Sequence, residues 1–175
     1  MIQYKRGVAM ETYILQFGLD KNSQDYIQNV RNEIRIAGFV DRQRGWLPHI
    51  TIDKYDDSNL EELIERTNQV LADVTAFKIN LETLNNFDKE TLFIEPNPKD
   101  IILEIKNNLD ISLDKFRFES RKLRGYNPHI TLCTNNNLDE CEKIAYQHFN
   151  KREAVVEKVW LYTEKNMELI KEWIL

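Results

Sequence analysis

Eight residues, Arg44-Gly45-Trp46-Leu47-Pro48-His49-Ile50-Thr51, return eighty positions later as Arg124-Gly125-Tyr126-Asn127-Pro128-His129-Ile130-Thr131. Six of the eight positions are identical and a seventh exchanges one aromatic for another. The chain has three His, four Pro and five Gly, and the repeat takes two of each. Scarce residues placed twice in the same order read as an internal duplication. The chemistry this set could do is phosphoester chemistry without a metal. A neutral imidazole can take a proton from an attacking hydroxyl or water, and a protonated one can give a proton to the leaving oxygen. The ordinary imidazole pKa, about 6.5, lets both forms exist near neutrality. A Thr hydroxyl can donate to a phosphoryl oxygen, where charge builds up in the transition state. A 2′,3′-cyclic phosphate, or attack by a ribose 2′-hydroxyl, fits such a set.

The local sequence says how these groups are held. Pro48 and Pro128 lack an amide donor and suit the first position of a strand. In His49-Ile50-Thr51-Ile52 and His129-Ile130-Thr131-Leu132 the period of two puts imidazole and hydroxyl on one face and both aliphatics on the other. Two such strands facing each other bring two imidazoles and two hydroxyls around one pocket. A lone His among aliphatic residues is usually a packed core or edge histidine. Packing alone, however, needs neither the His nor the Thr twice. Metal binding is the rival use of two His, but there is no His-Glu-x-x-His, no Cys pair at finger spacing, and no carboxylate near either motif except Asp53. No metal or other cofactor is expected.

The paired tetrads resemble the signature of the 2H phosphoesterase superfamily, and within it the bacterial RNA 2′,3′-cyclic phosphodiesterases, often labelled 2′-5′ RNA ligases. The resemblance spans nearly the whole chain by layout, but by residue only the tetrads and their flanks. It implies hydrolysis that leaves a 2′-phosphate, with weak reverse 2′-5′ ligation. Two tetrads, one per half, are specific for the superfamily and uninformative about the substrate.

Composition bounds the rest. The 175 residues are 42% hydrophobic and 30% charged, ordinary for a globular protein. A net charge of −5 argues against nucleic-acid binding by bulk basicity, so a nucleic-acid partner must be small or gripped locally. No apolar run approaches a membrane span, and residues 1–10 lack a signal-peptide core, which makes the cytoplasm the expected location. Cys133 and Cys141 have no metal or redox spacing, and Cys133 reads as a small buried side chain.

Strands are expected over about 11–17, 47–54, 77–81, 91–95, 127–133, 154–162 and 167–174. A first helix from Asn22 or Ser23 carries Tyr26, Ile27, Val30, Ile34 and Ala37 on one face and ends at Gly38. A second opens with a capping box of Ser58 and Glu61. A third opens at Asn97-Pro98, with Ile101, Ile102, Ile105, Leu109 and Leu113 inward. A fourth starts at Asn137 with Glu140. Each half is therefore β-α-β-α-β, with a hairpin strand added at the end. Val30 and Ile34 match Leu109 and Leu113 at nearly the same offset as the tetrads. The expected fold is α+β: one domain over 1–175, built of lobe-forming repeats at about 11–87 and 88–175. Two antiparallel sheets would face a central cleft, with the helices on the outside.

Around the tetrads, Arg44 and Arg124 are duplicated and suit a phosphate, which Arg binds in a two-pronged fork. Lys115, Arg117, Arg121 and Lys122 could do the same or form a solvated loop. Trp46 and Tyr126 could stack on a base. Three residues before each His, on a regular strand they would instead face away from His and Thr, which favours core or hinge packing. His148, late on a helix, reads as a surface residue without a catalytic part.

The expectation is a metal-independent phosphodiesterase acting on RNA ends or small nucleotides with a cyclic phosphate. His49 would be the acid, His129 the base, and no obligate protein partner is implied. The alternative is a non-catalytic RNA- or nucleotide-binding module with the same cleft. Cyclic oligonucleotide signals and ADP-ribose cyclic phosphate are further substrate classes that the sequence does not separate.

Overall fold

The computed structural model describes residues 11–39, 45–56 and 58–175. Among them the elements run β1 (Thr12–Leu19), α1 (Lys21–Ile36), β2 (His49–Asp56), α2 (Leu60–Leu71), β3 (Phe77–Phe87), β4 (Thr91–Asn97), α3 (Asp100–Ser112), α4 (Glu119–Lys122), β5 (Ile130–Thr134), α5 (Leu138–His148), β6 (Arg152–Thr163) and β7 (Leu169–Ile174). A short 3-10 turn, Asp114–Phe116, precedes α4.

The local signals act largely as expected. Ile27, Val30 and Ile34 are the buried apolar stripe of α1, and Gly38 sits just past its end with φ +95°, a conformation that favours glycine. Three helix starts differ. Asp20 caps α1, accepting from the Ser23 amide at 3.0 Å and the Ser23 hydroxyl at 2.6 Å. For α2 the box lies one residue later than Ser58 and Glu61. The Asn59 side-chain carbonyl accepts from the Glu62 backbone amide at 3.2 Å, and its side-chain amide nitrogen donates to the Glu62 carboxylate at 3.3 Å. Asn97 does not cap α3. It stays paired with Asn80 as the last residue of β4, so the helix starts three residues later.

The α+β class and the antiparallel pairing are as expected, but the strands are joined rather than split into two sheets. They form one seven-stranded sheet in the order β2-β1-β6-β3-β4-β5, with β7 also on β6. This order maps onto itself when β1, β2 and β3 are exchanged with β4, β5 and β6. Each half therefore lends its third strand to the other: β6 pairs with β1, and β3 pairs with β4. The two lent strands pair with each other from Phe77↔Val156 to Leu81↔Arg152. That pairing covers edges that two separate sheets would leave open.

The sheet bends so that its two end strands, β2 and β5, lie against each other. Ile50, Ile52, Ile130 and Leu132 are all buried in the core, as the alternation predicts. Each contributes roughly 1.5–3 kcal/mol of burial relative to exposure, which anchors the strands that carry the tetrads. Val30, Ile34, Leu109 and Leu113, the matched helix positions, are buried as well. No helix among the described residues is long and apolar enough to cross a membrane.

Candidate active site

Each motif histidine is fixed by the same backbone bond. The Nδ1–H of His49 donates to the Leu47 carbonyl at 2.7 Å, and that of His129 to the Asn127 carbonyl at 2.8 Å. A carbonyl can only accept, so Nδ1 carries the hydrogen in both rings. Nε2 is left as the atom that can take or give a proton. His49 Nε2 lies 3.2 Å from Thr51 Oγ1.

The strands bulge at matching places. Gln16 pairs with Thr51 and Leu15 with Asp53, leaving Ile52 as the extra residue. Phe93 pairs with Thr131 and Leu92 with Cys133, leaving Leu132 as its counterpart. A bulge kinks the strand and resets which way the following side chains point. Here it ends the His-x-Thr alternation and turns residues 53 and 133 inward, where both are buried.

A cavity of about 660 Å³ opens beside the tetrads, with Thr51, His129 and Thr131 in its wall. The His49 ring lies next to this wall rather than in it. Burial pushes the His49 imidazole from its ordinary value near 6.5 down to about 4. The charges of Arg31 and His129 add to that, against the Leu47 bond, which raises it. Burial also lowers His129, against its bond to Asn127. Phe87 and Phe93 enclose the His129 ring at centroid distances of 4.9 and 5.3 Å.

Trp46 packs edge-on to His49 at 5.8 Å and to Tyr162 at 5.5 Å. Tyr126 lies over Lys106, and its hydroxyl donates to the Thr51 carbonyl at 3.0 Å. Arg124 is exposed at the cavity wall. Arg44 and Arg42 lie outside the described residues. His148 is exposed, with Nε2 at 3.9 Å from Glu33. Cys133 is buried against Cys141, Sγ to Sγ 3.7 Å.

The sequence reading missed two features. One is a buried ionic cluster on the cavity wall. Asp53, noted only as a lone carboxylate, accepts from Lys106 at 3.2 Å, Arg117 at 3.0 Å and Arg121 at 2.9 Å. Asp110 pairs with Lys106 and, at 3.3 Å, with Arg117. Burial pushes the Asp53 carboxyl up, but Lys106 and Arg121 outweigh it and hold the group below the usual carboxylate range. Arg117 and Arg121 are thus each held by a carboxylate while still lining the cavity. Three cations on two carboxylates still leave this wall positive. The other feature is Arg31 on α1. Its Nη1 donates to the Trp46 carbonyl at 2.8 Å, and its Nε and Nη2 to the Thr131 carbonyl at 3.0 and 2.5 Å. A lone Arg on an amphipathic helix gives no sequence signal of such a reach.

Solved structures share this fold. The chain is similar to E. coli LigT in its apo form, with a TM-score of 0.64, 15% identity, and coverage of 95% of this chain and 98% of that one. It is also similar to TT0787 of Thermus thermophilus, with a TM-score of 0.63, 16% identity, and coverage of 94% and 97%. Usb1 of Kluyveromyces marxianus aligns with a TM-score of 0.53, 15% identity, and coverage of 95% and 98%. Among curated proteins no match is found. The family model of the 2′-5′ RNA ligase superfamily matches residues 19–167. By that match the chain belongs to the 2′-5′ RNA ligase superfamily, whose 2H phosphoesterase layout supports a phosphodiesterase type of function.

Proposed function

We propose that the protein is a metal-independent cyclic phosphodiesterase that opens 2′,3′-cyclic phosphates at RNA ends or on small nucleotides. One observation carries the reading: two imidazoles, each locked by Nδ1 to a backbone carbonyl two residues back, keep Nε2 for proton transfer, and that of His49 lies beside the Thr51 hydroxyl. A ring used only for packing has no need of a fixed tautomer in both halves.

In this reading the cyclic phosphate sits between the motif strands, and the hydroxyls of Thr51 and Thr131 donate to its non-bridging oxygens. His129 Nε2 takes a proton from water as the water oxygen bonds to phosphorus. The bond from phosphorus to O3′ breaks, and His49 Nε2 gives its proton to that oxygen, leaving a 2′-phosphate. Bound phosphate carries negative charge, which favours the protonated form of each imidazole and offsets their depression in the free protein. The positive cluster around Asp53 favours an anionic substrate, as does Arg124 at the cavity wall. Tyr126 lies in the cavity wall, and Trp46 supports the site by packing on the His49 ring. LigT has been solved with 3′-AMP and with ATP, which supports a nucleotide as ligand here.

The test is turnover of a 2′,3′-cyclic nucleotide with EDTA present, for the native protein, His49→Ala and His129→Ala. Activity that survives chelation and collapses in both variants is expected. Nucleotide binding without turnover in the native protein, unchanged in both variants, would favour the binding module instead.

A further inference from the structure

Each motif threonine has its backbone carbonyl held by a side chain from the other half. Arg31, on α1 in the first half, puts two donors on the Thr131 carbonyl and a third on the Trp46 carbonyl, beside the first motif. Tyr126, in the second half, donates to the Thr51 carbonyl. The two ties cross between β2 and β5 in opposite senses.

The halves do not achieve this with matching residues. At the place of Arg31 in the second half stands Asp110, which turns to Lys106 and Arg117. At the place of Tyr126 in the first half stands Trp46, which has no hydroxyl and contributes its backbone carbonyl to Arg31. Unrelated side chains therefore meet the same requirement twice. What they have in common is that each fixes the backbone of one motif to the opposite half. An in-line displacement needs acid, base and phosphate aligned, and a shift of about 1 Å can cost on the order of a hundredfold in rate.

We propose that Arg31 is a positioning residue that sets the separation and register of the two His-x-Thr strands, with Tyr126 as its counterpart across the cleft. Its chemical consequence rests on the phosphodiesterase reading, whereas its geometric part does not. Arg31 touches neither imidazole in a hydrogen bond, and it acts through the backbone that carries them. The guanidinium fork is what lets one side chain hold two carbonyls, Thr131 on β5 and Trp46 just before β2, and an ammonium cannot reproduce that span.

The test compares Arg31→Lys, Arg31→Gln and Tyr126→Phe with the native protein. Folding is checked by thermal unfolding, and the imidazoles are followed by NMR titration. In folded Arg31→Lys and Arg31→Gln, kcat is expected to fall by about ten- to a hundredfold while KM stays within about threefold. Arg31→Gln removes the cation and raises the His49 titration, whereas Arg31→Lys keeps the charge and leaves it low. Native kcat in both folded variants would overturn the proposal. Should Arg31→Gln fail to fold, Tyr126→Phe combined with Arg31→Lys decides. A joint loss smaller than the product of the single losses supports a shared task, and a fully multiplicative loss overturns it.

If the native protein turns over no cyclic phosphate, the proposed function fails while the geometry is still tested. Inorganic phosphate should then shift the His49 and His129 resonances over one concentration range in the native protein and over separate ranges in Arg31→Lys. An unchanged joint response in Arg31→Lys would overturn the role of Arg31.

Discussion

Ile52 and Leu132, eighty positions apart, are the extra residues of two β-bulges that each follow a motif threonine. Both are buried. The bulge ends the alternation that sets His and Thr on one face, so each functional pair is cut off from the strand that continues beyond it. Ile52→Ala and Leu132→Ala should each lower stability by roughly 2–5 kcal/mol, through lost burial and the cavity left behind. Denaturant unfolding checks this, and a loss below about 0.5 kcal/mol in either variant would mean that the site relaxes freely.

Thr51 and Thr131 test the hydroxyls directly. Thr51→Val and Thr131→Val keep the shape and remove the donor. Each should lower kcat by roughly a hundredfold, while Thr→Ser at the same position retains most of the activity. Equal loss in the Ser and Val variants would assign the effect to packing.

The imidazoles set the pH behaviour. In the proposed mechanism one must be protonated and the other neutral, so kcat/KM is expected to follow a bell between the two free-protein values. His49 lies at about 4 and His129 below its ordinary value, which places the maximum on the acid side of 6.5. The kcat maximum should lie at higher pH, because bound phosphate raises both imidazoles. A profile flat from about pH 5 to 9 would sink the two-histidine mechanism. Stability follows the same groups. A depressed imidazole means that the unfolded chain binds more protons, so the His49 contribution is complete above about pH 6.5 and is lost as the pH falls towards 4.

The Asp53 cluster gives a prediction of opposite experimental character. Asp53→Asn leaves Lys106, Arg117 and Arg121 with one carboxylate, Asp110, in a buried setting. Breaking such a network costs roughly 3–5 kcal/mol. Because the Asp53 carboxyl is held below its usual range, its contribution is present above about pH 4 and is lost as the pH falls through the folded value. Native and variant unfolding curves should therefore differ at neutral pH and converge in acid. A constant gap at all pH values would assign the loss to shape.

Gly18 pairs with His49 and lies under the indole of Trp160, where an added Cβ would come within 2.7 Å of the ring. Gly18→Ala should displace Trp160, change its fluorescence and cost about 1–3 kcal/mol. An unchanged emission spectrum and unfolding midpoint would show that the indole moves aside at no cost.

What the sequence made legible follows the range of the forces involved. The His-x-Thr alternation, the helix stripe of Ile27, Val30 and Ile34, and the buried Cys133 all depend on local periodicity, and they appear as read. The helix starts at Asp20 and Asn59 were displaced because several capping residues stand in a row and only packing selects one. The single sheet was not legible because β3 and β6 are joined by non-local pairing, with no mark in either strand. Asp53 and Arg31 were missed for the same reason. Their partners come from other elements, at separations of 15 to 100 positions, and a charge reads as solvated until its partner is known.

The palindromic strand order has a consequence for assembly. A half-length chain with one tetrad would lack the strand that finishes its own sheet and would carry one that fits a twin. Two such chains, meeting across the β3–β6 pairing, would complete both sheets and bring two tetrads to one cleft, so the protein is in topology a tethered, strand-swapped dimer. During synthesis β6 emerges after β1 to β5 yet lies at the centre, so the first half stays unfinished until the strands and helices of the second half up to β6 have been made.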